Sequence, residues 1–351
     1  MVQEADTDQF GGDPDHIVLH GTSAGAGSVA HHLVAYGGRK NDLFVGAVAQ
    51  SPYIPPELPV ADLEWQFERY ITDANCNGTD DVMSCLRTQE IEVLRAANIN
   101  APWPGRQFIS RRSWGPVIDG DLIQDHVLNL LEQGKFVDVP LMTGNVASEA
   151  FILVPDAASP VDVKVFFNQY DATLGPSELQ SIVERYPPGT PTQGRTASFD
   201  VINQAYSEAT FICPSIHLCN AMSNKKNPTV WNYSFNISTA FSWDHGIGAY
   251  HMIDDAAIFG PYLYGSPLVE PFDSFDAYNR KYVDYMMNYY LSFVKTLSPN
   301  TIKFADAPVF GSFVNHGPRQ QLDLQSNDTR MVNIPSTLLD NCRFWRNLQA
   351  A

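Results

Sequence analysis

Long apolar runs are absent from this 351-residue sequence. None reaches the roughly 18 residues that a membrane-crossing helix needs, so stable membrane insertion is not expected. Positive charge is scarce. Lys and Arg sum to 22 against 39 Asp and Glu, a formal net charge of −17. Little basic surface is left for phosphates, which argues against nucleic acid as a partner and disfavours anionic membranes and polyanionic substrates. No repeat, low-complexity tract or heptad run occurs. Nor is there a His, Cys and Asp cluster at metal-ligand spacing, or a phosphate-cradling loop, so no metal and no cofactor is implied. The opening residues, Met1-Val-Gln-Glu-Ala-Asp, are polar and acidic, unlike a secretory leader.

What is present is ordinary for a packed globule: 44% apolar and 17% charged residues, in a chain long enough to bury a large core. The 23 Gly and 24 Pro punctuate it densely, so elements should be short and loops many. Five cysteines, Cys76, Cys85, Cys213, Cys219 and Cys342, leave two readings open. One is an oxidised chain with an odd thiol; the other is five buried free thiols. Four Asn-x-Ser/Thr sites, at Asn77, Asn232, Asn236 and Asn327, point weakly to the secretory pathway.

His16 to Gly21 is a short apolar run rich in β-formers and reads as a buried parallel strand. Ala24 to Tyr36 reads as a helix, with Val29, Leu33 and Val34 on one face and Gly37-Gly38 as its stop. Val45 to Gln50, Val137 to Thr143 and Val230 to Phe235 read as further strands. Tyr278, Tyr282, Tyr285, Met286, Tyr289 and Phe293 recur at helical spacing. That helix should start near Ser274 or Asp276, end before Ser298-Pro299-Asn300, and face the core. Strands alternating with helices make the class α/β. No linker stands out, so residues 1–351 read as one domain.

Between the first strand and helix lies Gly21-Thr22-Ser23-Ala24-Gly25. It fits the nucleophile elbow, in which Ser23 projects from a strained turn and Gly21 and Gly25 allow a close backbone approach. The following helix aims its N-terminus at the serine, where anionic charge develops in acyl transfer. A Gly/Ser-rich turn without catalysis, or one that binds phosphate, fits the same five residues.

The wider segment, Phe10-Gly-Gly-Asp-Pro through Gly25-Ala-Gly-Ser28, resembles the type-B carboxylesterase/lipase family of cholinesterases and fungal secreted lipases. Further blocks follow in the family's order. They are Cys76 to Arg87, Trp114 to Gly120, Val139 to Asn145 with Glu149, Tyr250 to Gly260, Pro299-Asn300, and Cys342-Arg-Phe-Trp345. The resemblance implies an α/β-hydrolase fold, a mostly parallel sheet flanked by helices. It implies ester hydrolysis by a secreted protein acting on a small-molecule or lipid ester. Cys76 and Cys85 would form the family's short disulfide loop. Cys213 and Cys219 are then candidates for a second bond, despite a six-residue spacing in a possible helix, with Cys342 left as the odd thiol.

Family chain order is Ser, acid, His. His16, His20, His31 and His32 lie beside the elbow and His126 precedes the acid, leaving His217, His245, His251 and His316. His251, in the Gly246-Ile-Gly-Ala-Tyr-His loop, matches the family position; His245 is its rival. Glu149 matches the acid, with Asp119 as rival. Ser28 and Ser148 are expected to support the Glu149 carboxylate, and Asp254 to shape the His loop. Ala24 supplies one oxyanion N–H. Trp103, Trp114, Phe151 and Trp243 line a gorge or fill a core, with core expected for at least half of them.

Two departures from the family pattern stand out. Thr22 occupies a position where the family most often has Glu. Only 22 residues precede Ser23, and no His-Gly-Gly-Gly-type loop occurs, so the chain reads as a C-terminal portion in an incomplete sheet. Ile17 to His20 is then expected as an exposed edge and the chain as a poor esterase alone. A truncated inactive chain and a non-catalytic adhesion relative are the alternatives; the intact Ser23, Glu149 and His251 argue against the latter.

Overall fold

The computed structural model describes residues 7–349 apart from 41–42, 107, 110–113, 193, 225–228, 261–274, 276–278, 315–316 and 327. Six strands form the main sheet: β1 (Val18–Thr22), β2 (Gly46–Gln50), β3 (Leu141–Val146), β4 (Val230–Asn236), β5 (Gln320–Gln325) and β6 (Thr329–Asn333). They lie side by side in chain order. The first five run parallel and β6 returns antiparallel to β5. This is the α/β class expected from the alternation. A two-stranded ribbon, Leu58–Pro59 with Val117–Ile118, stands apart.

Helices cover both faces. On one, α1 (Ala24–Gly38) lays Ala26, Val29, Ala30, Leu33 and Val34 in a core with Leu128 and Leu131 of α2 (Val127–Glu132). On that side α3 (Ala197–Ser207) and α4 (Cys213–Met222) follow, with α7 (Ser336–Gln349) contributing Cys342 and Trp345. The second core sets Val48, Met142, Tyr233 and Phe235 of the sheet against Tyr285, Met286, Tyr289 and Phe293 of α6 (Arg280–Thr296) and against α5 (Ile253–Phe259). The aromatic stripe is therefore core packing. Its expected start at Ser274 or Asp276, and Tyr278, lie outside the described residues.

Strand boundaries moved by one or more residues, most at the third. The strand expected at Val137 to Thr143 begins at Leu141, because Val137 donates its N–H to Leu33 O on α1 rather than to the sheet. Pro140 lacks an N–H and only accepts, from Ala47 N. In α1, Ala35, Tyr36 and Gly37 leave helical backbone values, so the turn comes just ahead of the Gly-Gly pair. Among the described residues β1 pairs on one side only, with β2. Val18 and Leu19 on that edge are half-buried.

Cys76 and Cys85 are bonded, as the resemblance implied. The second bridge joins Cys213 to Cys342, with 5.0 Å between their Cα atoms; Cys219 is free and buried. The Cys213–Cys219 pairing is thus overturned. Both sit on α4, where six residues rise about 9 Å, beyond disulfide reach. Cys213 instead meets α7.

Candidate active site

Ser23 stands between β1 and α1 with φ +58° and ψ −120°, a backbone that a non-glycine residue holds only under constraint. The constraint is visible. Its N–H donates to Gln50 O on β2 (2.9 Å), and its carbonyl accepts from Gly27 N (3.0 Å) and Tyr53 N (3.1 Å). A Cβ on Gly21 would lie 2.2 Å from the Gly25 carbonyl, so the close approach is real. The steric demand does not extend to Gly25, where a Cβ meets nothing within 4 Å. It falls instead on Gly27, whose Cβ would sit 2.2 Å from Tyr53 O.

Glu149 follows β3 and is fully buried. Its Oε1 accepts from Val146 N (2.9 Å) and Asn145 Nδ2 (3.1 Å). The expected supports, Ser28 and Ser148, do not serve it. Ser28 lies on α1 and turns back to its own helix, donating to Ala24 O. Ser148 makes an isolated β-bridge with Tyr250, its N–H on Ala249 O (2.9 Å). That bridge draws the acid segment and the His segment together.

His251 completes the arrangement. Its Nδ1 meets Glu149 Oε2 at 2.5 Å and its Nε2 meets Ser23 Oγ at 2.8 Å. Burial pulls the imidazolium down. The Glu149 charge and hydrogen bond, with Asp254 and Asp255 behind them, outweigh that and hold His251 above its ordinary value. Asp254 lies beneath, accepting from Tyr233 Oη (3.1 Å), and burial with the neighbouring Asp255 pushes it up to about 7. The Thr22 hydroxyl donates to Asp255 Oδ1 (2.9 Å), so a carboxylate from α5 stands beside the elbow.

The rivals fall elsewhere. His245 is exposed, stacked on Phe241, with Nδ1 on the Phe241 carbonyl. His217 belongs to α4, where burial lowers it to about 4. His316 lies outside the described residues. Asp119 closes a turn, accepting from Asp121 N and Ile123 N. Of the four large aromatics only Phe151 is core; Trp103 is half-buried, while Trp114 and Trp243 are 48% and 75% exposed. Among the described residues no group of three or more His, Cys, Asp or Glu is placed to hold a metal. Nor is any helix long and apolar enough to cross a membrane. Sequence reasoning missed Asn145 and Gly27, although both stand in quoted blocks.

The model of the carboxylesterase family matches residues 2–345. Lipase 1 of Geotrichum candidum is 30% identical over 251 residues, 64% of this chain and 43% of that protein. Human neuroligin-3 is 26% identical over 376 residues, 97% of this chain and 42% of that protein. The chain thus spans less than half the length of these curated relatives. The crystal structure of Aspergillus niger EstA superposes with a TM-score of 0.92 at 38% identity, over 99% of this chain and 67% of that one. The sheet order, its flanking helices and this likeness make the fold an α/β-hydrolase. With a family match running almost end to end, the chain belongs to the carboxylesterase family.

Proposed function

We propose that this chain hydrolyses carboxylic esters through Ser23, His251 and Glu149 by way of an acyl-enzyme. The observation that carries the reading is the 2.8 Å contact of Ser23 Oγ with His251 Nε2, while Nδ1 of the same ring rests on buried Glu149. His251 takes the serine proton as Oγ attacks the ester carbonyl. Glu149 holds the tautomer with Nε2 free to accept, and stabilises the imidazolium. The imidazolium then protonates the departing alcohol. Water, deprotonated by the same ring, releases the acid and regenerates Ser23. The Ala24 N–H, in the first turn of α1 where amides lack intrahelical acceptors, is an oxyanion donor.

The reading includes one α/β-hydrolase domain over residues 1–351, acting on a small-molecule or lipid ester. It also includes secretion and glycosylation. Two disulfides suit an oxidising compartment. Asn77 and Asn236 are exposed and suited to carry glycans, whereas Asn232 is 2% exposed inside β4. Asn327 lies outside the described residues.

A fluorophosphonate probe tests the reading. It should acylate one serine, mapped by peptide sequencing to Ser23 and lost in Ser23→Ala. Similarity to neuroligin-3 supports a second reading, a non-catalytic binding relative. A folded chain left unlabelled at Ser23 would favour that reading or a truncated inactive chain, and sink the first.

A further inference from the structure

A single π-helical turn, Glu208–Ile212, interrupts the run from α3 into α4. Its mark is the Cys213 N–H donating to Glu208 O, five residues back instead of four. Such turns hold one residue more than an α-turn and recur at functional sites, where the altered rotation re-aims a side chain. Here the turn is anchored from below. Glu208 accepts from Tyr186 Oη (2.7 Å) and Gln204 Nε2 (3.0 Å), and Tyr186 in turn accepts from Trp345 Nε1 (2.6 Å).

From this anchored turn and the residue before it, three contacts reach the three segments of the triad. Ser207 Oγ accepts from Ala150 N, next to Glu149 (2.9 Å). Thr210 O accepts from Ile54 N (3.2 Å), and the adjacent Tyr53 N holds Ser23 O. Phe211 lies against the His251 ring, with centroids 4.6 Å apart and planes at 49°. The Phe211 ring is 1% exposed and bounded by Tyr53 at 5.5 Å and Tyr206 at 6.2 Å.

We propose that Phe211 is a positioning residue for ester hydrolysis, its ring fixing the His251 imidazole and stabilising the imidazolium formed when Ser23 loses its proton. The inference rests on the hydrolase reading above. A cation within about 6 Å of an aromatic centroid is attracted to the ring, more strongly where water is excluded. His251 is 3% exposed, so the contact is dry. The attraction acts on the charged ring and barely on the neutral one, so it favours the transition state over the ground state. The charged groups that face His251 are Glu149, from the segment after β3, and Asp254 and Asp255, from α5. Phe211 adds no charge, which is why its effect can be separated from theirs.

The test is a pH titration of the His251 ring by NMR in the full chain, with the resonance assigned by its loss in His251→Asn. In Phe211→Leu, His251 should titrate lower by about 0.4–1.5 pH units. On a nitrophenyl ester, kcat should fall about 3- to 30-fold with KM little changed. Phe211→Tyr, which keeps the ring, should stay near the parent in both. A folded Phe211→Leu whose His251 titrates unchanged or higher overturns the proposal. Should that variant fail to fold, the unmodified chain decides. Ring-current upfield shifts on the His251 protons support the proposal and unshifted protons overturn it. A chain that neither labels at Ser23 nor turns over ester refutes the hydrolase reading itself, and the titration still decides whether Phe211 acts on His251.

Discussion

Two Glu–His pairs are built on buried carboxylates, and only one has a serine at its far ring nitrogen. Glu149 meets His251 at 2.5 Å, and Glu57 meets His31 at 2.6 Å. Both carboxylates are almost fully buried, and both histidines are held above their ordinary value by the paired carboxylate against the pull of burial. Each carboxylate also accepts a backbone N–H, from Val146 in one case and Val127 in the other. They part at the far ring nitrogen. His251 offers Nε2 to a serine on a strained turn, whereas His31 bonds Gly27 O within its own helix (2.7 Å). Glu57 further gathers His126 at the start of α2, 3.8 Å away. A carboxylate–imidazole pair is thus a base only when its second nitrogen faces a nucleophile. Otherwise it is a brace, here tying α1 to α2.

Exchanging the histidines should give the largest contrast. His251→Ala should lower turnover by about 10³- to 10⁶-fold, since triad members act as a unit. His31→Ala should leave turnover per folded molecule within about threefold, because it touches no reacting atom. Equal losses in the two variants would erase the distinction.

The glutamates should split the same way, in different quantities. Glu149→Gln should cost about 10³- to 10⁴-fold in kcat through the wrong tautomer. Glu57→Gln should cost about 2–4 kcal/mol, because it leaves half-buried His31 and the Val127 amide without their charged partner. Denaturant midpoints beside steady-state rates check both.

pH should separate the two pairs by sign. Against the pull of burial, their mutual contact, with His126 and the Val127 amide on Glu57, leaves the His31 pKa raised above 6.5 and the Glu57 pKa lowered below 4.5. The His31 contribution is full below pH 6.5 and lost as pH rises through its folded value. The Glu57 contribution is present above pH 4.5 and lost as pH falls through its folded value. The brace is therefore strongest between about pH 4.5 and 6.5. The proposed mechanism needs His251 neutral, and its pKa is also raised above 6.5. kcat/KM should fall on acidification with a midpoint above 6.5, so the chain is firmly braced where the triad is switched off. A rate midpoint below 6.5, or a Glu57→Gln penalty that grows toward alkaline pH, would contradict this.

The smallest effect is expected from Ser28→Ala. Its hydroxyl donates only to Ala24 O, a local bond worth under about 0.5 kcal/mol. Turnover and stability should match the parent; a large drop in rate would return Ser28 to the Glu149 side.

The elbow was legible because its signal is local: a β-rich run, five residues with glycine at each end, then a helix of small residues. Glu149 and His251 were legible only through the resemblance, because nothing near either residue says that a bridge from Ser148 to Tyr250 will bring them together across 102 residues. Cys213–Cys342, 129 residues apart, failed for the same reason, since sequence spacing ranks near partners first. Gly25 shows the opposite error. The motif requires two glycines, and around the elbow the steric pressure falls on Gly21 and, unforeseen, on Gly27 rather than on Gly25. The π turn left no trace because an extra residue in a helix looks like any other residue.

Asn232, closed inside β4 between β3 and β5, would set a clock on biogenesis under the proposed secretion. Asn232-Tyr233-Ser234 is a complete acceptor for glycan transfer while the chain is extended, and no acceptor once the strand has paired. In a secretory lumen, strand pairing and oligosaccharide transfer therefore compete for one side chain. A chain that loses carries a sugar where the sheet must close. Slowed folding should raise the glycan count at Asn232 in retained material, while exported material stays unmodified there; glycopeptide mapping of the two pools would show which process wins.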